Sequence, residues 1–328
     1  MIRIIARRYE TKALLFLAAI FLAVGVVNPD FLTCESMTNT FNDSVVFTLL
    51  AVGTAFVILT GEIDVSVGAV MGLSAAVGAT ILRDGGSLPY AMFAALAVGA
   101  FVGFVNGWGV AVLKIPSLIF TLGTYGVARG AVYVYTSGAW VENLPAWFKA
   151  ASHERIFGYL TVFYALTVVL VIAVQVLLSK TKRGHNFIAV GDNIQGAELV
   201  GLNVVQTKVW AFVLSGAFAG LAGMVFASRI GFITPMAGNS YEMKAIAACV
   251  LGGISLSGGI GTVVGAAIGA VIMTSMTRIL VFLGFSSNYD NAITGTLLIA
   301  IVVVNTVMQN RAITRSKREI SLKRVAKG

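Results

Sequence analysis

KTKRGHNFIAVGDNIQGAELVGLNVVQTK, residues 180–208, is the longest polar interval between apolar blocks in this chain, its C-terminal tail aside. Almost everything around it is apolar enough for lipid. Its ends are basic, with Lys180, Lys182, Arg183 and Lys208. In the middle, Asp192 and Asn193 can cap a short helix running from Ile194 to Val200, and Gly201 can stop it. Ile194, Ala197 and Val200, three apart, give that helix one small apolar face; Ala189, Gly191, Gly196 and Gly201 keep the surface low. Connectors in helical bundles usually run about 2–8 residues. So long an interval reads either as a plain connector with an incidental helical turn or as a surface that seats in a groove of another protein.

Of 328 residues, 58% are hydrophobic and 11% charged, and mean hydropathy is +0.90. Soluble domains carry about 25% charged residues. That deficit places the chain in a bilayer, where spanning segments must satisfy their own backbone as helices or closed barrels. The apolar runs last roughly 17–25 residues without alternation, which fits helices and not barrel strands. The 36 glycines against 5 prolines suit closely packed helices. The expected fold class is therefore an all-α polytopic membrane protein with about ten transmembrane helices. Spans are expected near 13–28, 44–60, 66–82, 89–113, 117–136, 159–179, 209–229, 243–257, 261–283 and 291–308. This divides the chain into an N-terminal segment 1–12, a transmembrane domain 13–308 containing the loop 180–208, and a basic tail 309–328.

Charge sets the expected orientation. With the N-terminus in the cytoplasm, segments 1–12, 61–65, 114–116, 180–208, 258–260 and 309–328 lie inside and hold most of the Lys and Arg. The outer segments are mixed or acidic, with Asp30, Glu35, Asp43, Asp84, Glu142, Glu154, Glu242 and Asp290. Both termini are then cytoplasmic. The net charge of +9 reflects basic flanks, including seven basic residues between Arg311 and Lys327. They suit an anionic lipid leaflet better than nucleic acid, which is not an expected partner. The first apolar run, Ala13 to Val27, ends near a weak small-x-small pattern at Ala23 and Gly25, but is expected to stay as an uncleaved span. The two cysteines, Cys34 and Cys249, do not suggest a disulfide framework.

Small residues recur every four positions at Ala95, Gly99, Gly103 and Gly107, at Gly261, Gly265 and Gly269, and at Gly216 and Gly220. That spacing lets helix backbones approach. The outer segment 137–158 carries Trp140, Trp147 and Phe148, which suit either an amphipathic helix on the leaflet or a platform for an external protein. Glu242 and Lys244 could serve the same platform. GEIDVSVG (61–68) and GGISLSGG (252–259) match at Gly, Ile, Ser and Gly, a faint echo of duplicated halves.

Motifs for catalysis are lacking. No Gly-Lys dipeptide occurs, so there is no phosphate-binding P-loop, and neither a zinc-protease motif nor a nucleophile elbow is found. His153 and His185 are the only histidines, one in each polar loop. An enzyme is not expected, and no cofactor or metal. Ionisable residues inside spans point to function by default. Glu62 and Asp64 sit in a Gly-flanked break between apolar runs: a gate element on one reading, and on the other an ordinary turn with Asp64 capping the next helix. Arg129 and Arg278 lie inside spans; Glu62 or Asp64 is the expected partner of Arg129. So few buried charges argue against an ion-coupled pump and suit a neutral polar solute. A stand-alone secondary transporter or facilitator stays as the alternative. A receptor-anchoring protein is a third reading.

The chain resembles, over essentially its whole length, the permease subunits of ribose-type ABC sugar importers. The resemblance rests on GEIDVSVG (61–68), LKIPSLIFTLGTYGVARG (113–130), RGHNFIAVGDNIQGAELVGL (183–202), VLSGAFAGLAGMVFASRIG (213–231) and EMKAIAACVLGGISLSGGIGTVVGA (242–266). It implies an ABC importer permease bundle in the bacterial inner membrane. The implied partners are a cytoplasmic ABC ATPase that binds the ATP, a periplasmic or surface-bound sugar-binding protein, and a second, identical or non-identical permease. It implies an ATPase-coupling role for Gly191, Asp192, Asn193, Ala197 and Gly201. Gly61, Ile63, Asp64, Ser66 and Gly68 match the family's gate motif, and Glu62 stands where glycine is more usual. Within the family, TSGAWVENLP (136–145) and GDNIQGAELVGL (191–202) are most similar to autoinducer-2 and rhamnose permeases.

Overall fold

Apolar runs this long become helices because each residue then pairs its own backbone polar groups. The computed structural model describes residues 2–296, apart from 157, 285, 287 and 288, together with 299, 300 and 303. Half of the expected last span 291–308 and the whole tail 309–328 lie outside the described residues. The chain opens with α1 (Ile2–Val27), a 3-10 turn (Pro29–Leu32), α2 (Cys34–Asp43) and α3 (Val45–Leu59). Helices α4 (Val67–Arg83), α5 (Leu88–Ala111) and α6 (Ser117–Thr136) follow. A short α7 (Ala146–Ala151) and a two-stranded hairpin, β1 (Arg155–Ile156) with β2 (Leu160–Thr161), lead into α8 (Val162–Lys180). Then come α9 (Lys182–Asp192), α10 (Ile194–Leu199), α11 (Val204–Ile230), α12 (Tyr241–Leu251) and α13 (Val263–Phe282).

Among the described residues, five helices are long and apolar enough to cross a membrane, or six if the bent α2–α3 pair, with its 42° angle, counts as one span. The chain is thus an all-α polytopic membrane protein. The expected span 243–257 is corrected: α12 has 11 residues, about 16 Å of helix against a hydrocarbon core of about 30 Å. It stops at Gly252 because the chain turns there, with Gly253, Gly258 and Gly259 in the left-handed backbone region. Segment 209–229 lengthens to all of α11, which starts five residues earlier, at Val204, where Asn203 caps it. Residues 2–12 continue α1 as helix instead of standing apart.

The small-residue spacing acts where the sequence places it. On α5 and α11, Gly99 and Gly216 face each other so closely that a Cβ on either would overlap the other's carbonyl oxygen. Gly103 meets the Phe212 backbone, and a Cβ on Gly220 would sit 2.5 Å from the Ala95 carbonyl oxygen. In the same way α12 and α13 touch through Gly252 and Gly265, and through Ala248 and Gly269. Gly261 drops out of that stripe, since it precedes α13 and packs on Ile254. Large apolar side chains instead crowd the outside: Phe93 and Phe101 on α5, Val127 and Val134 on α6, and Val169 and Ile172 on α8 are all exposed. An exposed apolar belt of this kind is solvated by lipid.

The 137–158 segment is no single amphipathic helix. Its helix α7 has six residues, Phe148 is buried, and Trp140 stacks on Phe232 with ring centroids 5.4 Å apart. Val141 pairs with Ile233 in an isolated bridge that ties this segment to the connection after α11.

Replacing Gly216 by Val is expected to push α5 from α11 and to destabilise the protein by about 1–3 kcal/mol, as overpacking does. A thermal midpoint in detergent equal to that of the unaltered protein would contradict this packing.

Candidate translocation and coupling site

Two interrupted stretches meet inside the bundle. One, residues 60–66, joins α3 to α4; the other, residues 252–262, joins α12 to α13. They are the two octets that echo each other in sequence. The Gly259 N–H donates to the Leu59 carbonyl at 3.0 Å. A Cβ on Gly258 would come 2.8 Å from the Gly61 nitrogen. Left-handed glycines let each backbone turn back on itself at this contact, where a Cβ would strain the turn.

Gly191 at the end of α9 seats on the junction. A Cβ there would overlap the Leu59 carbonyl oxygen and stand 2.6 Å from the Gly259 nitrogen. Helix α9 reaches this position because Gly184, Phe187 and Val190 form its buried face. Phe187 meets Phe56 of α3 edge to face, ring centroids 5.1 Å apart. Thr181 caps α9 by accepting from the Gly184 N–H. The interval 180–208 is therefore a helical arm. Asn193 alone caps α10, accepting from the Gly196 N–H at 2.8 Å, while Asp192 is the last residue of α9. Ala197 is buried, so the apolar face expected from Ile194, Ala197 and Val200 divides: Ala197 turns inward, and Ile194, Leu199 and Val200 are exposed. Gly201 follows with a left-handed backbone and open space around it.

The first break is more than a solvent-facing turn. Asp64, Ser66, Asn106 and Ser215 are all fully or nearly fully buried. Asp64 Oδ1 accepts from the Ser66 N–H at 2.9 Å and from Ser66 Oγ at 2.6 Å. Its Oδ2 accepts from Ser215 Oγ of α11 at 3.0 Å. Asn106 Nδ2 of α5 donates to Ser66 Oγ at 2.8 Å. One carboxylate thus ties the start of α4 to α5 and α11, close to the positive end of the α4 dipole. On the other side of the break, Ser117 and Thr121 at the start of α6 accept from the Ile63 and Val65 N–H groups. Gly68 lies in the first turn of α4, against the Gly238 carbonyl and Glu242.

The expected ion pair of Arg129 with Glu62 or Asp64 is corrected. Arg129 lies eight residues beyond Thr121, roughly 12 Å further along α6, and donates to the Pro235 and Ala237 carbonyls. Glu62 pairs instead with Lys208 of α11. That pair borders a cavity of about 330 Å³ lined also by Lys114, Pro116 and Glu198, beside α10. Arg278 does find a carboxylate, Asp43, which Arg229 shares. Glu242 and Lys244 are buried and so form no external platform; Lys244 pairs with Asp290 and sits over the Phe47 ring. Lys208, Ser215, Asn106 and Glu242 were absent from the residues expected at the site. For Asn106 and Ser215 the available signal was a lone polar side chain inside an apolar helix. Among the described residues, no group of His, Cys, Asp or Glu is placed to hold a metal ion.

Broken helices at membrane depth persist only where protein covers them or where they line a path. Here they are mostly buried, partly polar and gripped by a helical arm, inside a chain whose long apolar helices define the class: a multi-pass membrane protein. The chain belongs to the family described as branched-chain amino acid transport system / permease component, which matches residues 36–302. It is 43% identical to the autoinducer 2 import system permease protein LsrC of Salmonella typhi, over 92% of this chain and 87% of that protein. With the LsrC protein of Escherichia coli O9:H4 (strain HS) it shares 42% identity over 92% of this chain and 88% of that one. No solved structure matches the chain. These matches bear out the resemblance to ribose-type ABC sugar permeases and make the chain a transport subunit.

Asp64→Ala is expected to leave two buried serine hydroxyls and one N–H without their acceptor, at about 1–3 kcal/mol for each orphan. Asp64→Asn keeps an acceptor and is expected to lose clearly less. Equal thermal midpoints for the two variants would contradict the network.

Proposed function

We propose that this permease forms part of the membrane channel of an ABC importer that brings autoinducer 2, or a related sugar-like solute of the rhamnose or ribose type, into the cytoplasm. The observation that carries the reading is Gly191 seated on Leu59 and Gly259. It joins the α9–α10 arm to both interrupted helices at one point. Anything that moves the arm moves the two breaks together.

In this reading the arm faces the cytoplasm. Lys114, Lys180, Lys182, Arg183 and Lys208 gather at or near its end of the bundle, as the positive-inside rule requires. Both termini are then cytoplasmic, and the membrane is the bacterial inner membrane. Residues 180–208 act as the coupling segment. The exposed Ile194, Leu199 and Val200 of α10 offer a small apolar patch that fits a groove on a cytoplasmic ATPase. Asn193 and Gly201 bound that helix, and Asp192 joins it to α9. The ATPase partner binds and hydrolyses ATP, and this chain holds no cofactor. A sugar-binding protein delivers solute at the opposite end, and a second permease completes the channel.

The mechanism is alternating access. ATP-driven closure of the ATPase shifts α10, Gly191 passes the shift to the Leu59–Gly259 contact, and the Asp64 network fixes α4, α5 and α11 to the moving break. Glu62 and Lys208 tie the same break to the root of α11. Differential affinity of the ATPase for two arm positions supplies the coupling free energy.

Uptake of autoinducer 2 into proteoliposomes tests the reading. Transport is expected only with the second permease, ATPase, ATP and binding protein all present; uptake by this chain alone would make it a stand-alone facilitator. A Leu199→Glu/Val200→Glu double variant is expected to stay folded in the membrane and to lose about tenfold or more of its ATPase binding, since two charges enter an apolar contact. Unchanged co-purification would remove α10 as the docking element.

A further inference from the structure

Arg129 of α6 is half-buried and Glu242 of α12 is buried, both beside α4 and with hydrogen-bonding capacity to spare. Arg129 spends Nη1 on the Pro235 and Ala237 carbonyls, at 3.2 and 2.6 Å. Its Nε and Nη2 are buried and have no partner among the described residues. Glu242 is 6% exposed, and its Oε2 is likewise buried without a partner among the described residues. The ion pairs among the described residues do not include these two.

Both groups lie over one face of α4. A Cβ on Gly68 would overlap Glu242 Oε2, and one on Gly72 would stand 3.5 Å from Arg129 Nη1. Gly68 and Gly72 are about one helical turn, or roughly 6 Å, apart. Two glycines thus make room for a guanidinium and a carboxylate that approach each other without closing. A polar edge leads toward them: the Tyr125 hydroxyl donates to Asn239 Oδ1 at 3.1 Å, Asn239 is exposed, and Arg129 lies over the Tyr125 ring.

A structural ion pair would close, because buried polar groups in native proteins nearly always find partners. Charged groups held open inside a membrane bundle point to a ligand instead. We propose that Arg129 and Glu242 bind the solute, and that they select a neutral molecule with neighbouring hydroxyl groups. One hydroxyl oxygen accepts from the guanidinium, and the next hydroxyl donates to the carboxylate. A charged solute would be repelled by one partner, and an apolar one would leave both unpaired. This inference rests on the importer reading and adds to it a binding site.

The test uses the complete importer, with ATPase and binding protein, in proteoliposomes with autoinducer 2 as the probe. At saturating loaded binding protein, the amount of autoinducer 2 delivered per ATP hydrolysed is compared for the unaltered protein, E242Q and R129K. The ratio is expected to fall about fivefold or more in each variant, because solute contact is lost while the motor still turns over. A ratio within about twofold of the unaltered protein overturns the site, including the case where import and hydrolysis fall together, which is what a purely structural pair would give. If E242Q does not assemble, R129K decides by the same ratio. Absence of ATP-driven import by the unaltered protein overturns the importer reading and this site with it. That outcome is distinct from normal import with unchanged ratios in the variants, which overturns the site alone.

Discussion

The contact on which the rest of this structure depends is the hydrogen bond from the Gly259 N–H to the Leu59 carbonyl. A bilayer offers no water to an interrupted helix, so each break must find its partners inside the protein. The two breaks solve this by covering each other, and Gly191 covers them both. Backbone lies against backbone here, which explains why glycine occupies Gly61, Gly191, Gly258 and Gly259. The same closeness makes the junction a mechanical one: with no side chains between the segments, a shift in one is felt by the others.

Around the junction, stability comes from packing more than from the hydrophobic effect, because lipid is as apolar as the helix faces it would replace. Helix α11 runs through the middle of the bundle, with α5 pressed on it through Gly99, Gly103, Gly216 and Gly220. Large side chains are displaced outward to lipid. What is left for specificity is polar. The Asp64 network joins α4, α5 and α11, and Asp43 holds both Arg229 and Arg278. Among the described residues, single buried atoms still lack a partner in both networks, Asn106 Oδ1 in the first and Arg278 Nε in the second, whereas Arg129 and Glu242 bring three such atoms to one face of α4.

The arm follows from two opposed faces on consecutive short helices. Helix α9 buries Gly184, Phe187 and Val190 and is part of the core. Helix α10 buries Ala197 alone and leaves Leu199 and Val200 to the outside. One helix is packed on the breaks, and the next points its large apolar side chains away from them.

The sequence by itself determined the membrane class, the helical content, the small-residue faces of α5 and of α11, and the position of a capped helix after Asp192 and Asn193. These depend on composition and on spacing along one helix, both local quantities. It also held a faint echo between the two Gly-rich octets. Only the tertiary structure decided that the octets touch, that Gly191 lies between them, and that Glu62 takes Lys208 while Arg129 takes carbonyls. It also decided that α12 stops short of a full span and that Glu242 is buried. Each of these is a pairing between residues far apart in the chain, and hydropathy along the chain says how apolar a helix is without saying which neighbour its polar side chains will meet.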